Sequence, residues 1–201
     1  MTCVDPVTLS AAFDTDDVPT GANFDSLFTN FLSLPHRLDL QTADKDVVST
    51  TTETSAWSAL PGMLVPANAL GDNGSIAVTL FGDLLYNNDV ADTLAVRVRF
   101  GGSIVLTISS DLFGASGLQG ATRSPWWWEF RLGNRGATNS QALGAKLHYN
   151  LSSGRVYVAA VGASAIDTTV DQTLDLTVQW SAASANDSFK RFWGQALLAQ
   201  N

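Results

Sequence analysis

The sequence predicts an all-β domain, an antiparallel two-sheet sandwich of jelly-roll type, preceded by an N-terminal arm that carries one short helix. Three observations predict it. In Leu94 to Phe100, Leu94, Val96, Val98 and Phe100 alternate with Ala95, Arg97 and Arg99, the period of a half-buried strand. Leu174, Leu176, Val178 and Trp180 alternate in the same way with Thr173, Asp175, Thr177 and Gln179. Turn signals recur between such runs, at Gly71-Asp72-Asn73-Gly74, Asn87-Asn88-Asp89, Gly101-Gly102 and Ser152-Ser153-Gly154. Roughly nine or ten strands fall in about 150 residues with no helical pattern among them, which suits a sandwich.

The 201 residues allow one generous β domain, or one with an arm. A shift of character near Val47 divides the chain into an arm, 1–46, and a sandwich, 47–201. Within the arm, Asp14, Asp16, Asp17, Pro19 and Gly21 mark a looped segment. Phe24, Leu27, Phe28 and Phe31 then recur at helical spacing, with Asn23 as N-cap, Asp25 in the first turn and Pro35 as the stop. A helix of about three turns is marginal alone and has to dock. Its apolar face either plugs one end of the β domain or anchors the chain to a partner surface; the assignment is a partner anchor.

After Val47 the elements follow in order. Val47 to Thr54 is rich in β-branched residues, and Trp57 to Pro66, broken by Pro61-Gly62, suits an edge strand or a bulge. Ser75 to Leu80 places Ile76, Val78 and Leu80 on one face. Gly101-Gly102 turns the Leu94 strand into a partner carrying Ile104, Leu106 and Ile108. Trp126 to Leu132 forms a strand, and Leu143 to Leu151 pairs with Arg155 to Val161. The chain closes on Phe189 to Leu198, expected to form a terminal hairpin with the Leu174–Trp180 strand across the Ala/Ser/Asn/Asp-rich stretch between them.

Charge limits the function. Charged residues make up 15% of the chain against 45% apolar ones, where about 25% charged is usual, so part of the surface is expected to be covered by other copies or by a larger assembly. A net charge of −8 argues against nucleic acid as a partner. No long apolar run marks a membrane span and no basic-then-apolar leader is visible, so synthesis in the cytoplasm without processing is expected. The single Cys3 forms neither an internal disulfide nor a metal cluster.

Catalytic constellations are not evident. His36 and His148 are the only histidines and neither has metal-ligand spacing. No G-x-S-x-G elbow occurs. Glu53 and Glu129 are the only glutamates, and the aspartates Asp83, Asp89, Asp92, Asp111, Asp167, Asp171 and Asp175 read mostly as turn residues. No cofactor is expected. Asp14-Thr15-Asp16-Asp17 offers oxygen ligands but lacks the later Gly and Glu of a calcium loop, and reads as a solvated acidic turn. Trp126-Trp127-Trp128 is the other feature with possible binding chemistry. Trp126 and Trp128 face the core with Phe130; Trp127 faces the other way, and a subunit interface is expected there over stacking on a sugar.

The strand LAVRVRFGG, Leu94 to Gly102, and the later DTTVDQTLDLTVQWSAASANDSF, Asp167 to Phe189, with the aromatic-bearing strand after it, resemble the β-sandwich modules of tailed-bacteriophage structural proteins. The resemblance covers about Glu53 to Leu198. It implies a non-enzymatic virion component, a homotrimer around a jelly-roll or tumour-necrosis-factor-like fold. Capsid decoration of head-fibre type, with the major capsid protein as partner, comes first; a tail-fibre module binding host glycan is the alternative. An enzyme acting on surface polysaccharide ranks last. Tail-fibre chains usually carry a long shaft before such a module, whereas about 46 residues precede it here, which favours decoration.

Overall fold

In the computed structural model, residues 36–48, 50–57, 62–86, 93–109, 120–151, 154–184 and 186–199 are described. They form β1 (His36–Gln41), β2 (Lys45–Val48), β3 (Thr54–Ser55), β4 (Met63–Val65), β5 (Ser75–Tyr86) and β6 (Leu94–Phe100). The second half contributes β7 (Ser103–Ser109), β8 (Gly120–Asn134), β9 (Gln141–Leu151), β10 (Gly154–Ser164), β11 (Gln172–Trp180) and β12 (Asp187–Ala199). One sheet has seven strands in the order β1-β12-β5-β8-β9-β10, with β2 also on β12. The other has five, β3-β11-β6-β7, with β4 also on β11. Every pairing is antiparallel. The antiparallel sandwich is therefore the fold. The arm helix with Phe24, Leu27, Phe28 and Phe31 lies outside the described residues, as do Cys3 and Asp14 to Asp17.

The alternation seen in the sequence is what closes the two sheets on one another. Ile76, Val78, Leu80, Trp128, Phe130, Leu132, Leu143 and Leu147 from one inner face meet Val96, Val98, Phe100, Ile108, Leu176, Val178 and Trp180 from the other, all buried. Burial of this kind is worth roughly 1.5–3 kcal/mol per large apolar side chain and dominates the stability.

Three expectations change. First, β11 and β12 are not a hairpin. Both edges of β11 are occupied, by β6 on one side and by β3 and β4 on the other, while β12 lies in the opposite sheet between β5 and β1/β2. The polar stretch after Trp180 carries the chain from one sheet to the other. Second, the boundary expected at Val47 falls inside β2. All of β1 precedes it and pairs with β12, and Leu38 packs on the core, so residues 36–46 belong to the sandwich. Third, Ile104 is exposed, because an extra residue, Val105, is inserted where the β6–β7 register shifts between Val98 and Arg99. Val105 is buried against β10: a Cβ on Gly162 would lie 2.1 Å from the Val105 carbonyl oxygen. Only glycine lets the two sheets approach so closely at this corner.

Candidate binding face on the seven-stranded sheet

The outer face of the large sheet is built from residues that the inner alternation leaves over. On β5 these are Ala77, Thr79, Phe81 and Asp83, and on β8 Pro125, Trp127, Glu129 and Arg131. β12 reaches this face with an aromatic residue only because of a bulge. Phe189 and Arg191 point inward; the register then shifts between Arg191 and Trp193, so Trp193 comes opposite Phe81 while Gly194 and Ala196 turn in.

Strand pairing sets Trp193, Phe81, Trp127 and His148 side by side across β12, β5, β8 and β9. The rings stack. Phe81 and Trp127 have centroids 5.8 Å apart at 20°, and Phe81 and Trp193 are 5.7 Å apart at 19°. Trp127 remains 44% exposed, and its Nε1 donates to Glu129 Oε1 at 3.1 Å. Phe81, Trp127, His148 and Phe192 border a shallow pocket of about 380 Å³ at this row. On the side of the row toward β12's C-terminal end, small side chains leave a wider trough of about 670 Å³, with Ala77, Thr79, Gly144 and Ala159 in it, Glu129, Arg131 and Lys146 rising beside them and Val161 at the far end. Val161 is 86% exposed.

Of the residues singled out in the sequence, Trp126 and Trp128 are buried and Trp127 faces out, as the alternation requires. Phe81, Phe192 and Trp193 were not singled out. Phe81 does carry a signal, a large aromatic at a position where the alternation of Ile76, Val78 and Leu80 calls for a polar residue. Trp193 carries none, because a bulge inverts its face.

A second polar concentration lies on the five-stranded sheet. Glu53 pairs bidentately with Arg99, whose Nη2 donates to Oε2 at 2.8 Å, and lies 3.5 Å from Arg97. Thr177 Oγ1 also donates to Glu53. The Arg99 hydrogen bonds hold the Glu53 carboxyl at about 2, against an ordinary 4.5. Asp175, on the polar side of the β11 alternation, is nonetheless buried. It accepts from Ser55 Oγ at 2.7 Å, and burial pushes its carboxyl from 3.8 up to about 6. These side chains satisfy one another and tie the segment around β3 to β11. Their chemistry is that of a clasp. Among the described residues no group of three His, Cys, Asp or Glu side chains is placed to hold a metal ion.

No family model matches the chain, and no curated protein is similar to it in sequence. Among solved structures, a lectin, UEA-II complexed with galactose, is similar over 83% of this chain and 95% of its own, at 10% identity and a TM-score of 0.32. A likeness so distant says nothing about what this chain binds, and the fold rests on its own strand pairing.

Proposed function

We propose that the protein is a non-enzymatic structural component of a phage virion, a capsid decoration protein of head-fibre type. It assembles with copies of itself, as a homotrimer, through the outer face of the seven-stranded sheet. The observation that carries this reading is the stacked row Trp193–Phe81–Trp127 on the outer face, with Trp127 exposed and Phe81 and Trp193 half-buried beside it. Contiguous exposed aromatics are uncommon on a free monomer and are enriched at protein interfaces. The stacking supports a protein partner over a sugar. A ring that binds a sugar presents its flat face outward, whereas both faces of Phe81 are covered by its neighbours here. Such a row offers ring edges, which interdigitate with another apolar protein surface. The particle location rests on the sequence resemblance, and the low charged fraction agrees with a covered surface.

The test is Trp127→Asp in the full chain. The parent is expected to scatter light as a trimer at micromolar concentration, and the variant as a monomer with an unchanged β-sheet circular dichroism spectrum. A parent that is monomeric at that concentration would overturn the assembly reading. A variant that stays trimeric but no longer adsorbs to host cells would replace it with glycan binding.

A further inference from the structure

We propose that the trough on the outer face receives the turn at 167–171 of a second copy of the chain, with that copy's Val170 on the small side chains of the floor and its Asp167 and Asp171 against Arg131 and Lys146. The inference rests on the assembly reading and names the contact behind it. Strand pairing sets Arg131, Gly144 and Val161 in one row across β8, β9 and β10, and Glu129, Lys146 and Ala159 in the next row on the same face. Glu129 stands opposite Lys146, yet its Oε1 accepts from Trp127. Among the described residues neither Arg131 nor Lys146 forms an ion pair. The trough is thus an apolar floor beside two uncompensated cations, and it adjoins the aromatic row.

Charge selects the occupant. Two such troughs face to face would set cation against cation, so a two-fold contact of trough on trough is unfavourable, and the occupant has to be acidic as well as apolar. The exposed large apolar side chains among the described residues are Val48, Leu64, Ile104, Trp127, Val161 and Val170. Trp127 and Val161 belong to the receiving face. The acids next to Val48 are already paired, Asp44 with Lys190 at 2.8 Å and Asp46 with Arg123 at 4.0 Å. No Asp or Glu lies within about one turn of chain, five residues, of Leu64 or Ile104. Val170 remains. It is 53% exposed and flanked by Asp167 and Asp171, neither of which forms an ion pair among the described residues.

The tip is also held ready. Thr168 is buried, its Oγ1 donates to the Thr138 carbonyl at 2.7 Å, and the Asn68 N–H donates to the Thr168 carbonyl at 2.8 Å. Asp171 Oδ1 accepts from the Ala67 N–H at 2.8 Å, and Asp167 Oδ1 from the Thr169 N–H at 2.9 Å. Both carboxylates keep Oδ2 clear of these bonds. A tip fixed in this way loses little freedom on docking. It sits where the chain crosses from β10 in one sheet to β11 in the other, so it is offered to another copy rather than to the outer face of its own. Tip and trough are different patches, which makes the contact head-to-tail, the kind that closes into a ring of three.

Sedimentation velocity of the full chain over a concentration series tests this, with circular dichroism reporting the fold. Arg131→Glu with Lys146→Glu changes exposed side chains that hold no ion pair, and is expected to raise the half-assembly concentration at least about tenfold. Asp167→Asn with Asp171→Asn keeps the Oδ1 acceptors and removes the charges. In the parent this pair should raise the half-assembly concentration about threefold. In the chain that already carries Arg131→Glu and Lys146→Glu, the same Asn pair should lower it, because the repulsion between tip and trough is gone. A merely structural role of 167–171 does not produce that change of sign. An Asn pair that acts alike in both backgrounds overturns the proposal, and so does a trimer indifferent to the Glu pair. Both outcomes leave the assembly reading standing, whereas a monomeric parent overturns the two together.

Discussion

Asp175 and Glu53 share one clasp yet respond to pH in opposite directions. Asp175 has its folded value raised to about 6 by burial, so the native state holds a proton that the unfolded chain gives up above 3.8. Its contribution to stability is thus full below about pH 4 and lost as pH rises through 6, a change of about 3 kcal/mol at most. Glu53, lowered to about 2, stabilises above 4.5 and loses that contribution as pH falls through 2. The windows barely overlap. Asp175→Asn keeps an oxygen for Ser55 and removes the titration. Urea unfolding from pH 4 to 7 should show a declining stability in the parent that flattens in the variant; an unchanged slope would mean that Asp175 is not its source. Arg191 is buried as well. It donates to the carbonyls of Ala56 at 3.0 Å, Trp57 at 2.8 Å and Gln41 at 3.4 Å, and no carboxylate among the described residues forms an ion pair with it. Burial lowers its pKa. Arg191→Met strands these acceptors and should cost about 2–4 kcal/mol in a denaturant titration. Arg191→Lys should not restore it, since a single ammonium cannot span three carbonyls as the guanidinium fork does.

At the scale of the element, β12 carries the most. It pairs with β1, β2 and β5, and its bulge delivers Trp193 to the outer face while keeping Gly194, Ala196 and Leu198 in the core. Its contact with β5 depends on Gly82, where an added Cβ would fall 1.8 Å from the Lys190 carbonyl oxygen and 2.7 Å from the Trp126 ring. Backbone cannot yield as a flexible side chain does. Gly82→Ala is therefore expected to destabilise by more than about 3 kcal/mol or to prevent folding. Gly144→Ala, on the same sheet with open space around it, should be nearly neutral. Comparing the two melting curves checks this directly, and similar curves would mean that β12 and β5 can part at no cost.

For the whole molecule, the proposal to test is that it decorates a capsid. Labelling intact virions with antibody against the chain should decorate the capsid; label confined to the tail tip would move the protein to the receptor-binding reading. How far sequence alone reaches toward that answer depends on the periodicity of each element. Strands with clean alternation, such as β6 and β11, were legible in the sequence, with their inward faces. So was the β9–β10 hairpin, because the turn residues at 152–154 join two apolar runs. The outward direction of Trp127 followed from its neighbours. What the sequence by itself determined is therefore local: strand class, inner faces, and the short turns. Only the tertiary structure decided the rest. It separated β11 from β12, drew β1 into the sheet, and lined up Trp193, Phe81 and Trp127, which are up to 112 residues apart in the chain. The physical reason is that a strand's face is set by its own alternation. Its neighbours, and any bulge that inverts that face, are set by hydrogen-bonding partners distant in sequence.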